Sequence, residues 1–250
     1  WMVPFRGYSA VNTVALYAQR HFHDFGTSRE ALGEIAINNR RNAALNPKAV
    51  FTEPLNMADY LSARMISSPL CLFDCDVPVD ASTAIIVSRA EAAHDVASPV
   101  YLEAMGCALH GQDSWDNYSP DLTEMAAHDA ASSMWSQTDL TPADVDTAQL
   151  YDGFSMLTLS WIEALGFCGK GEAKDFLQGG DNIARNGQLP LNTNGGQLSG
   201  GRTHGFGYFY EAILQLKGEA GERQLARRPR VAAVANGGGP LGSCFLLRTG

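Results

Sequence analysis

The stretch NTNGGQLSGGRTHGFG, residues 192–207, is dense in glycine and ends where an amphipathic run predicts a helix over Tyr208–Lys217. A second cluster, Asn236-Gly-Gly-Gly239, follows near the end of the chain. Glycine adopts positive φ and lets a ligand approach the main chain, and a helix that begins at such a loop directs free N–H groups at whatever is bound. The two clusters therefore predict a site built from backbone, suited to an anion or a developing oxyanion. Ordinary turns are the alternative.

Composition narrows the class of protein. The chain has 250 residues, 45% of them hydrophobic and 18% charged, which predicts a globular protein with one large core or two modest ones. The net charge of -9 argues against a general nucleic-acid binder, because neutralising phosphates needs a basic face. Only Arg40-Arg41 and the run at 227–230 cluster, and short basic runs are typical of solvated surface.

The cysteines and the chain start indicate the compartment. Five cysteines lack the spacing of a zinc site, so we expect reduced, mostly buried thiols and no metal. They are Cys71, Cys75, Cys107, Cys168 and Cys244. We find neither a bilayer-length apolar stretch nor a signal peptide, and therefore expect a cytoplasmic protein without membrane contact. Because the chain begins with Trp1 rather than Met, we also expect residues to precede it.

Hydrophobic periodicity predicts an α/β protein. Residues 8–45 have helical spacing, with Thr27-Ser28 before Glu30 as a cap, and the first eighty residues show little strand pattern. Strand then alternates with helix from residue 80 to residue 250. The further predicted helices are Ala58–Met65, Asp121–Trp135 and Ser155–Leu165, and the predicted strands are Thr83–Ser88 (buried), Val100–His110, Thr147–Leu150, Arg230–Ala235 and Ser243–Arg248. The turn Gly237–Pro240 joins the last two strands as a hairpin.

Tyr151 follows a short apolar strand and precedes a helix, in the segment Tyr151-Asp-Gly-Phe154. Ligands of open α/β sheets bind at the carboxyl ends of strands, so Tyr151 is a candidate catalytic residue. The alternative is a buried ring with a locally bonded hydroxyl. Asp152 either contributes to the site or caps the following helix.

His204 and Arg202 lie in the first glycine-rich loop, where burial in a core is not expected. His204 is therefore a better functional candidate than the other histidines. Arg202 could hold a carboxylate, a phosphate or a thioester-bearing ligand, or reach solvent. Neither residue is decisive alone.

Ordered motifs across most of the chain resemble the C-terminal part of the thiolase superfamily, in its lipid-transfer or sterol-carrier branch. The CDVPVDASTA of Cys75–Ala84 is similar to DCCPVSDGAAA, and Tyr151–Ser155 stands where that branch has HDCFS. The loop at 192–205 is similar to NPSGGLISKGHPLG, and Gln215–Gln224 to QLRGEAGxRQ. Matches at Glu163–Cys168 and Gly179–Asn182 complete the set.

The departures from the family motifs bear on chemistry. Tyr151 replaces the histidine of HDCF, Arg202-Thr203 stands where GHPxG has its histidine, and Asn236 stands where thiolases have a C-terminal cysteine. Claisen chemistry needs a nucleophilic cysteine, an activating histidine and a base. The replacement of histidine by tyrosine at this strand end is similar to what is seen in the steroid side-chain-cleaving aldolases of the branch. The resemblance thus implies retro-aldol cleavage of a β-hydroxyacyl-CoA to a ketone and a shorter acyl-CoA.

The resemblance also implies an architecture. It predicts a layered αβαβα fold with most of the N-terminal half absent: residues 1–78 as the helical insertion of the first half, 79 to about 90 as its last strand, and the remainder of 79–250 as the C-terminal domain. It further implies a homodimer and a small OB-fold acyl-CoA-binding partner of the DUF35 type. A coenzyme A thioester is the expected substrate, and no bound cofactor is expected.

The resemblance assigns roles to the candidates. Tyr151 is predicted to act on the β-hydroxyl as base or proton relay, with Tyr208 or His204 as its partner, and the amides of Gly237–Gly239 are predicted to face the enolate. The predicted substrate-binding set is Asp152, Gly195, Gly196, Ser199, Arg202, Asn236, Gly237, Gly238 and Gly239. A degenerate acyl-CoA acyltransferase and a non-catalytic acyl-CoA or lipid-binding subunit remain as alternatives.

Overall fold

A computed structural model of the chain describes residues 3–110 and 121–250. Its N-terminal part consists of helices and a small two-stranded sheet, and its C-terminal part combines helices with a larger mixed sheet. The helices are α1 (Ala10–Phe25), α2 (Arg29–Ala43), α3 (Met57–Ser62), α4 (Ala126–Trp135), α5 (Ser155–Ala164), α6 (Ala173–Leu177) and α7 (Phe206–Lys217). The strands are β1 (Met65–Ser67), β2 (Leu70–Cys71), β3 (Val100–Leu109), β4 (Thr147–Gln149), β5 (Val231–Gly238) and β6 (Leu241–Thr249).

The larger sheet has the strand order β3-β6-β5-β4. β5 and β6 form the predicted antiparallel hairpin, in which Gly238 pairs with Leu241 across the Gly239-Pro240 turn. β4 lies parallel to β5, so the carboxyl ends of both strands meet at one edge of the sheet. This edge receives both glycine clusters.

The sheet is covered by helices on both faces. Successive side chains of a strand point to opposite faces, and along β5 the residues Ala233 and Ala235 join the core that contains α4 and α5. Ala232 and Val234 pack instead with α7, beside Tyr208. The expected α/β fold with layered helices and sheet is therefore confirmed for this part of the chain.

The N-terminal helices confirm the helical prediction for residues 8–45. α2 begins after Ser28, the predicted cap, and is buried along most of its length. His21 of α1 contacts both carboxylate oxygens of Glu163 in α5 at 3.2 Å, with both side chains 2% exposed. Contacts of this kind fix the N-terminal helices against the helix that follows Tyr151.

The predicted buried strand at Thr83–Ser88 is wrong. Residues 80–89 form no regular element, and Ile86 and Val87 are 96% and 85% exposed. An apolar run forms a buried strand only where neighbouring strands bond its backbone and cover its side chains, and no described residue does so here. The last strand expected over residues 79 to about 90 is likewise not formed by the described residues, whereas the boundary at residue 78 between two domains stays a prediction.

Smaller differences concern element ends and thiols. The predicted helix at Ala58–Met65 ends at Ser62 and gives way to β1, and the helix predicted from Asp121 begins at Ala126. All five cysteines are free, although Cys107 is exposed. No helix in the described ranges is long and apolar enough to cross a bilayer. The cytoplasmic location stays a prediction, and Trp1 lies outside the described residues.

Candidate active site

The parallel pair β4 and β5 sets the position of the site. Gln149 pairs with Val234, so Tyr151, which follows the end of β4, and Asn236, which is still within β5, each lie two residues further on toward the same edge. The Asn236 side chain donates to the carbonyl of His204 at 3.2 Å and fills the space beside Gly205, where a Cβ would lie 2.4 Å from it. The two glycine clusters that the sequence singles out therefore meet through Asn236, at the end of the sheet where Tyr151 follows β4.

Asn192 fixes the first glycine loop to the strand that carries Tyr151. Its side chain accepts from the Leu150 N–H at 2.7 Å and donates to the Leu150 carbonyl at 2.9 Å. Asn192 is fully buried and has a φ of 48°, a conformation that asparagine tolerates better than most residues. The Asn192 side chain bonds the N–H and the carbonyl of Leu150 as a neighbouring strand would, and so aligns the loop with the sheet.

Asp152 also fixes the first glycine loop, through its carboxylate. Its carboxylate accepts from the N–H groups of Gln197 at 2.7 Å and Leu198 at 3.2 Å, and from the Asn39 amide at 2.5 Å. The Tyr208 hydroxyl also donates to it. Burial raises the pKa of Asp152 to about 6, although these donors favour the ionised form.

Several predicted site residues make hydrogen bonds within the protein instead of facing a ligand. Asp152 is fully buried and does not cap α5, whose N-cap is Phe154, because its carboxylate already accepts from the loop. Tyr208 is 1% exposed, and burial together with Asp152 raises its pKa well above 10, so its hydroxyl serves Asp152. Ser199, 1% exposed, accepts from Arg40 at 2.9 Å.

The glycines of the first loop allow close packing. Gly195 has a φ of 98° and would place a Cβ 2.5 Å from that of Ala43 in α2. A Cβ on Gly196 would lie 2.0 Å from the Asp152 carboxylate. These two positions require glycine because α2 and Asp152 approach the main chain, which accounts for the glycine density without a ligand.

The amides of the second cluster are already partly engaged. The Gly237 N–H donates to the Asn236 side chain at 3.0 Å, and the Gly239 N–H lies 3.2 Å from the Met125 sulfur. Gly238 and Gly239 are buried. These three amides are predicted to face an enolate together. Two of the three N–H groups, those of Gly237 and Gly239, already have protein partners.

Asp76 is a functional candidate that sequence reasoning missed. Its N–H donates to the Gly153 carbonyl at 3.2 Å, and the next residue, Val77, pairs with Gln197 and Arg202. The side chain is 12% exposed and lies 3.6 Å from the Arg202 guanidinium. Burial raises the pKa of Asp76, while Arg202 and His204 act in the opposite direction. Its place could not be read from the sequence, since 75 residues separate it from Tyr151.

Tyr151 is half-buried beside this carboxylate. Burial raises the pKa of its hydroxyl, and the charge of Asp76 raises it further. The ring folds over Gly153, where a Cβ would lie 2.9 Å from the hydroxyl oxygen. The hydroxyl therefore stays protonated at neutral pH and can donate a hydrogen bond or relay a proton.

Arg202 and His204 border the same space. Arg202 is anchored by its N–H, which donates to the Val77 carbonyl at 2.8 Å, and His204 is exposed with a φ of 47°. His204 donates its N–H to the Gln197 side chain at 2.9 Å. The structure thus brings together Tyr151, Arg202, His204 and Asn236 from the predicted set, with Asp76 and Gln197 added.

Cys75 is the thiol beside this cluster, because it precedes Asp76 and pairs with Phe154. Burial raises its pKa to about 12. It is therefore a thiol, not a thiolate, at neutral pH, and a weak nucleophile. Tyr151 and Asp76 are therefore the candidates for acid–base chemistry in this cluster.

A cavity of about 730 Å³ borders the other side of the first loop. Gly196, Gly201 and Thr203 line it, together with residues 79–84 and Lys48. Tyr151 and His204 do not line it. The cavity could hold a non-reacting part of a ligand whose reactive end passes over the loop.

The chain is similar to known proteins of one family. Residues 109–247 match the family model described as thiolase C-terminal domain-like. The 17-hydroxy-3-oxo-4-pregnene-20-carboxyl-CoA lyase of Mycobacterium tuberculosis is 41% identical over 210 residues, which are 82% of this chain and 54% of the lyase. The steroid side-chain-cleaving aldolase of Thermomonospora curvata is 36% identical over 225 residues, covering 87% of this chain and 57% of the aldolase.

A solved structure, the Ltp2-ChsH2(DUF35) aldolase, superposes with a TM-score of 0.90 at 31% sequence identity. The match covers 99% of this chain and 65% of that one. The chain spans about half the length of the curated relatives it matches. It belongs to the thiolase C-terminal domain-like family.

Proposed function

We propose that the protein is the C-terminal part of a retro-aldolase that cleaves a β-hydroxyacyl-CoA, such as a steroid side-chain thioester, to a ketone and a shorter acyl-CoA. The observation that carries this proposal is the pair of Tyr151 and Asp76 at the sheet edge, beside Cys75, whose thiol is not activated. The names of the two curated relatives support the same reaction class.

The reaction begins with loss of the β-hydroxyl proton. Tyr151 remains neutral, so it acts as a relay: it accepts the substrate proton while it passes its own to Asp76. Asp76, rather than Tyr208, is thus the partner of Tyr151, because the Tyr208 hydroxyl is committed to Asp152. The alkoxide electrons form the ketone, and the broken C–C bond leaves its electron pair on the thioester as an enolate. A solvent proton then adds to the α-carbon and gives the shorter acyl-CoA, and Asp76 releases the relayed proton to solvent.

The substrate is a coenzyme A thioester in this proposal. The cavity behind the first glycine loop is large enough for part of such a ligand, and Lys48 on its wall supplies a cation for a phosphate. Arg202, which lies 3.6 Å from Asp76, is a cation near the reacting groups themselves.

The assembly is proposed from the relatives. A DUF35-type partner is supported by the Ltp2-ChsH2(DUF35) aldolase, whose name includes a DUF35 protein. A homodimer rests on the resemblance alone, and light scattering of the full-length protein tests it.

Product analysis tests the function. The full-length protein with its DUF35-type partner is given a 17-hydroxysteroid side-chain CoA thioester and, separately, acetoacetyl-CoA with free CoA. We expect a 17-ketosteroid and propionyl-CoA from the first substrate. Acetyl-CoA from the second substrate alone would mean a thiolase, and binding without turnover of either would mean a carrier subunit.

A further inference from the structure

Gln197 carries a buried donor that the fold does not use. The residue is 1% exposed, and its Nε2 has no hydrogen-bond acceptor among the described residues. Its Oε1 accepts the His204 N–H at 2.9 Å. A backbone N–H can only donate, so this contact requires the oxygen at that position and fixes the amide with its NH₂ group on the other side.

The free NH₂ group faces the reacting region. The Gln197 amide acts as a weak hydrogen-bond donor toward the Tyr151 hydroxyl, which lowers the pKa of that hydroxyl against the larger effect of burial, but Nε2 does not reach the hydroxyl with hydrogen-bond geometry. The main chain of Gln197 is fixed on both sides: its N–H donates to Asp152 at 2.7 Å and its carbonyl accepts from Val77 at 3.1 Å. The donor is therefore held rigidly beside Tyr151 and Asp76.

An enolate oxygen needs such a donor. Charge that develops on a thioester oxygen is stabilised by preorganised N–H groups in a site that excludes water. The Gly237 and Gly239 amides already have protein partners, whereas Gln197 Nε2 has no acceptor with hydrogen-bond geometry in the part of the chain that the structure describes. A buried donor without an acceptor is unfavourable in the empty site, and a ligand oxygen would satisfy it.

We propose that Gln197 Nε2 is a catalytic hydrogen-bond donor to the thioester carbonyl oxygen and to the enolate oxygen that replaces it; this rests on the proposed retro-aldol function. Gln197 transfers no proton. The hydroxyl proton goes to the Tyr151–Asp76 pair, the C–C bonding pair becomes the enolate double bond, and the carbonyl π pair moves to the oxygen that Gln197 binds. Return of that pair with protonation of the α-carbon releases the acyl-CoA.

Isotope-edited infrared spectroscopy tests this assignment in the full-length protein with its DUF35-type partner. The probe is a β-hydroxyacyl-CoA with a ¹³C-labelled thioester carbonyl. In the wild type the carbonyl stretch of the bound ligand shifts to lower frequency because Nε2 donates to it. In Gln197→Met the shift is lost and kcat falls about 10²- to 10³-fold, the effect of removing one oxyanion donor.

Two further variants keep the test decisive. Gln197→Glu retains an acceptor for the His204 N–H but lacks the donor, so it gives the same result if Gln197→Met folds poorly. Gln215→Met removes another fully buried glutamine amide, whose partners are protein groups, and leaves the carbonyl shift intact.

The outcomes separate the two proposals. Cleavage by the wild type, with an unchanged carbonyl shift and kcat within about threefold in both Gln197 variants, would overturn the donor assignment and leave the function standing. A wild-type protein that cleaves no β-hydroxyacyl-CoA would overturn the function, and the donor assignment with it.

Discussion

At the scale of single residues, the proposed proton path depends on the hydroxyl of Tyr151. The ring packs at 6.4 Å from that of Tyr208 and over Gly153, so Phe can replace it without a change of shape. We expect Tyr151→Phe to lower kcat by about 10²- to 10⁴-fold, since only the relay is lost. Steady-state kinetics measure this, with exposed Tyr8→Phe as the matched control. Full activity in Tyr151→Phe would contradict the relay.

The proposed role of Asp76 as proton acceptor predicts a specific pH dependence of kcat/KM. Its carboxylate accepts the relayed proton only when ionised, so kcat/KM rises as the pH passes its pKa. Burial raises that pKa, which moves the acid limb above the ordinary value of about 4. In Asp76→Asn the limb disappears and kcat/KM falls about 10²- to 10⁴-fold. A pH–rate profile checks this, with Asp95→Asn, 79% exposed, as control; an unchanged acid limb in Asp76→Asn would exclude Asp76 as the acceptor.

At the scale of elements, Asn192 joins the glycine loop to the end of β4. Asn192→Ala loses two buried hydrogen bonds to Leu150 and places alanine at a φ of 48°. We expect a loss of roughly 2–4 kcal/mol in the free energy of unfolding, part from the bonds and part from the backbone. Asn192→Gly removes only the bonds and should lose less. Urea denaturation measures both, and equal stability of Asn192→Ala and wild type would contradict this role.

Local patterns explain which elements the sequence could predict. The β5–β6 hairpin follows from two apolar runs around a glycine-proline turn. The strand end at Tyr151 follows from the change in hydrophobic pattern, from a short apolar strand before it to a helix after it. Thr83–Ser88 has the pattern of a buried strand, but described residues offer it no partner, and pairing cannot be read from one segment. Asp76 and Gln197 had no local signal either. Their proposed roles depend on contacts with residues distant in the sequence: Asp76 with Gly153, and Gln197 with Val77 and Asp152.

At the scale of the whole molecule, Asp152 links stability to pH. Its pKa is about 6 in the folded protein and near 3.8 in an exposed carboxyl, so the folded state holds the proton more tightly. Between about pH 4 and pH 6 the unfolded chain has released this proton and the folded protein has not. The contribution of Asp152 to the unfolding free energy is therefore greatest below pH 4, falls by about 3 kcal/mol as the pH rises to 6, and is constant above it.

A variant isolates this contribution. The unfolding free energy of the wild type minus that of Asp152→Asn, measured by denaturation at several pH values, should decrease from pH 4 to pH 6. Other buried carboxyls, such as Asp74, titrate in both proteins and cancel in the difference. A difference that does not change with pH would contradict the raised pKa.

The central claim is cleavage of a C–C bond without a covalent intermediate, and one experiment in D₂O tests it directly. The full-length protein and its DUF35-type partner turn over a 17-hydroxysteroid side-chain CoA thioester, and mass spectrometry follows the acyl-CoA and the intact protein. We predict propionyl-CoA with one deuterium at the α-carbon and no acyl group on the protein. An acylated cysteine during turnover would contradict the account.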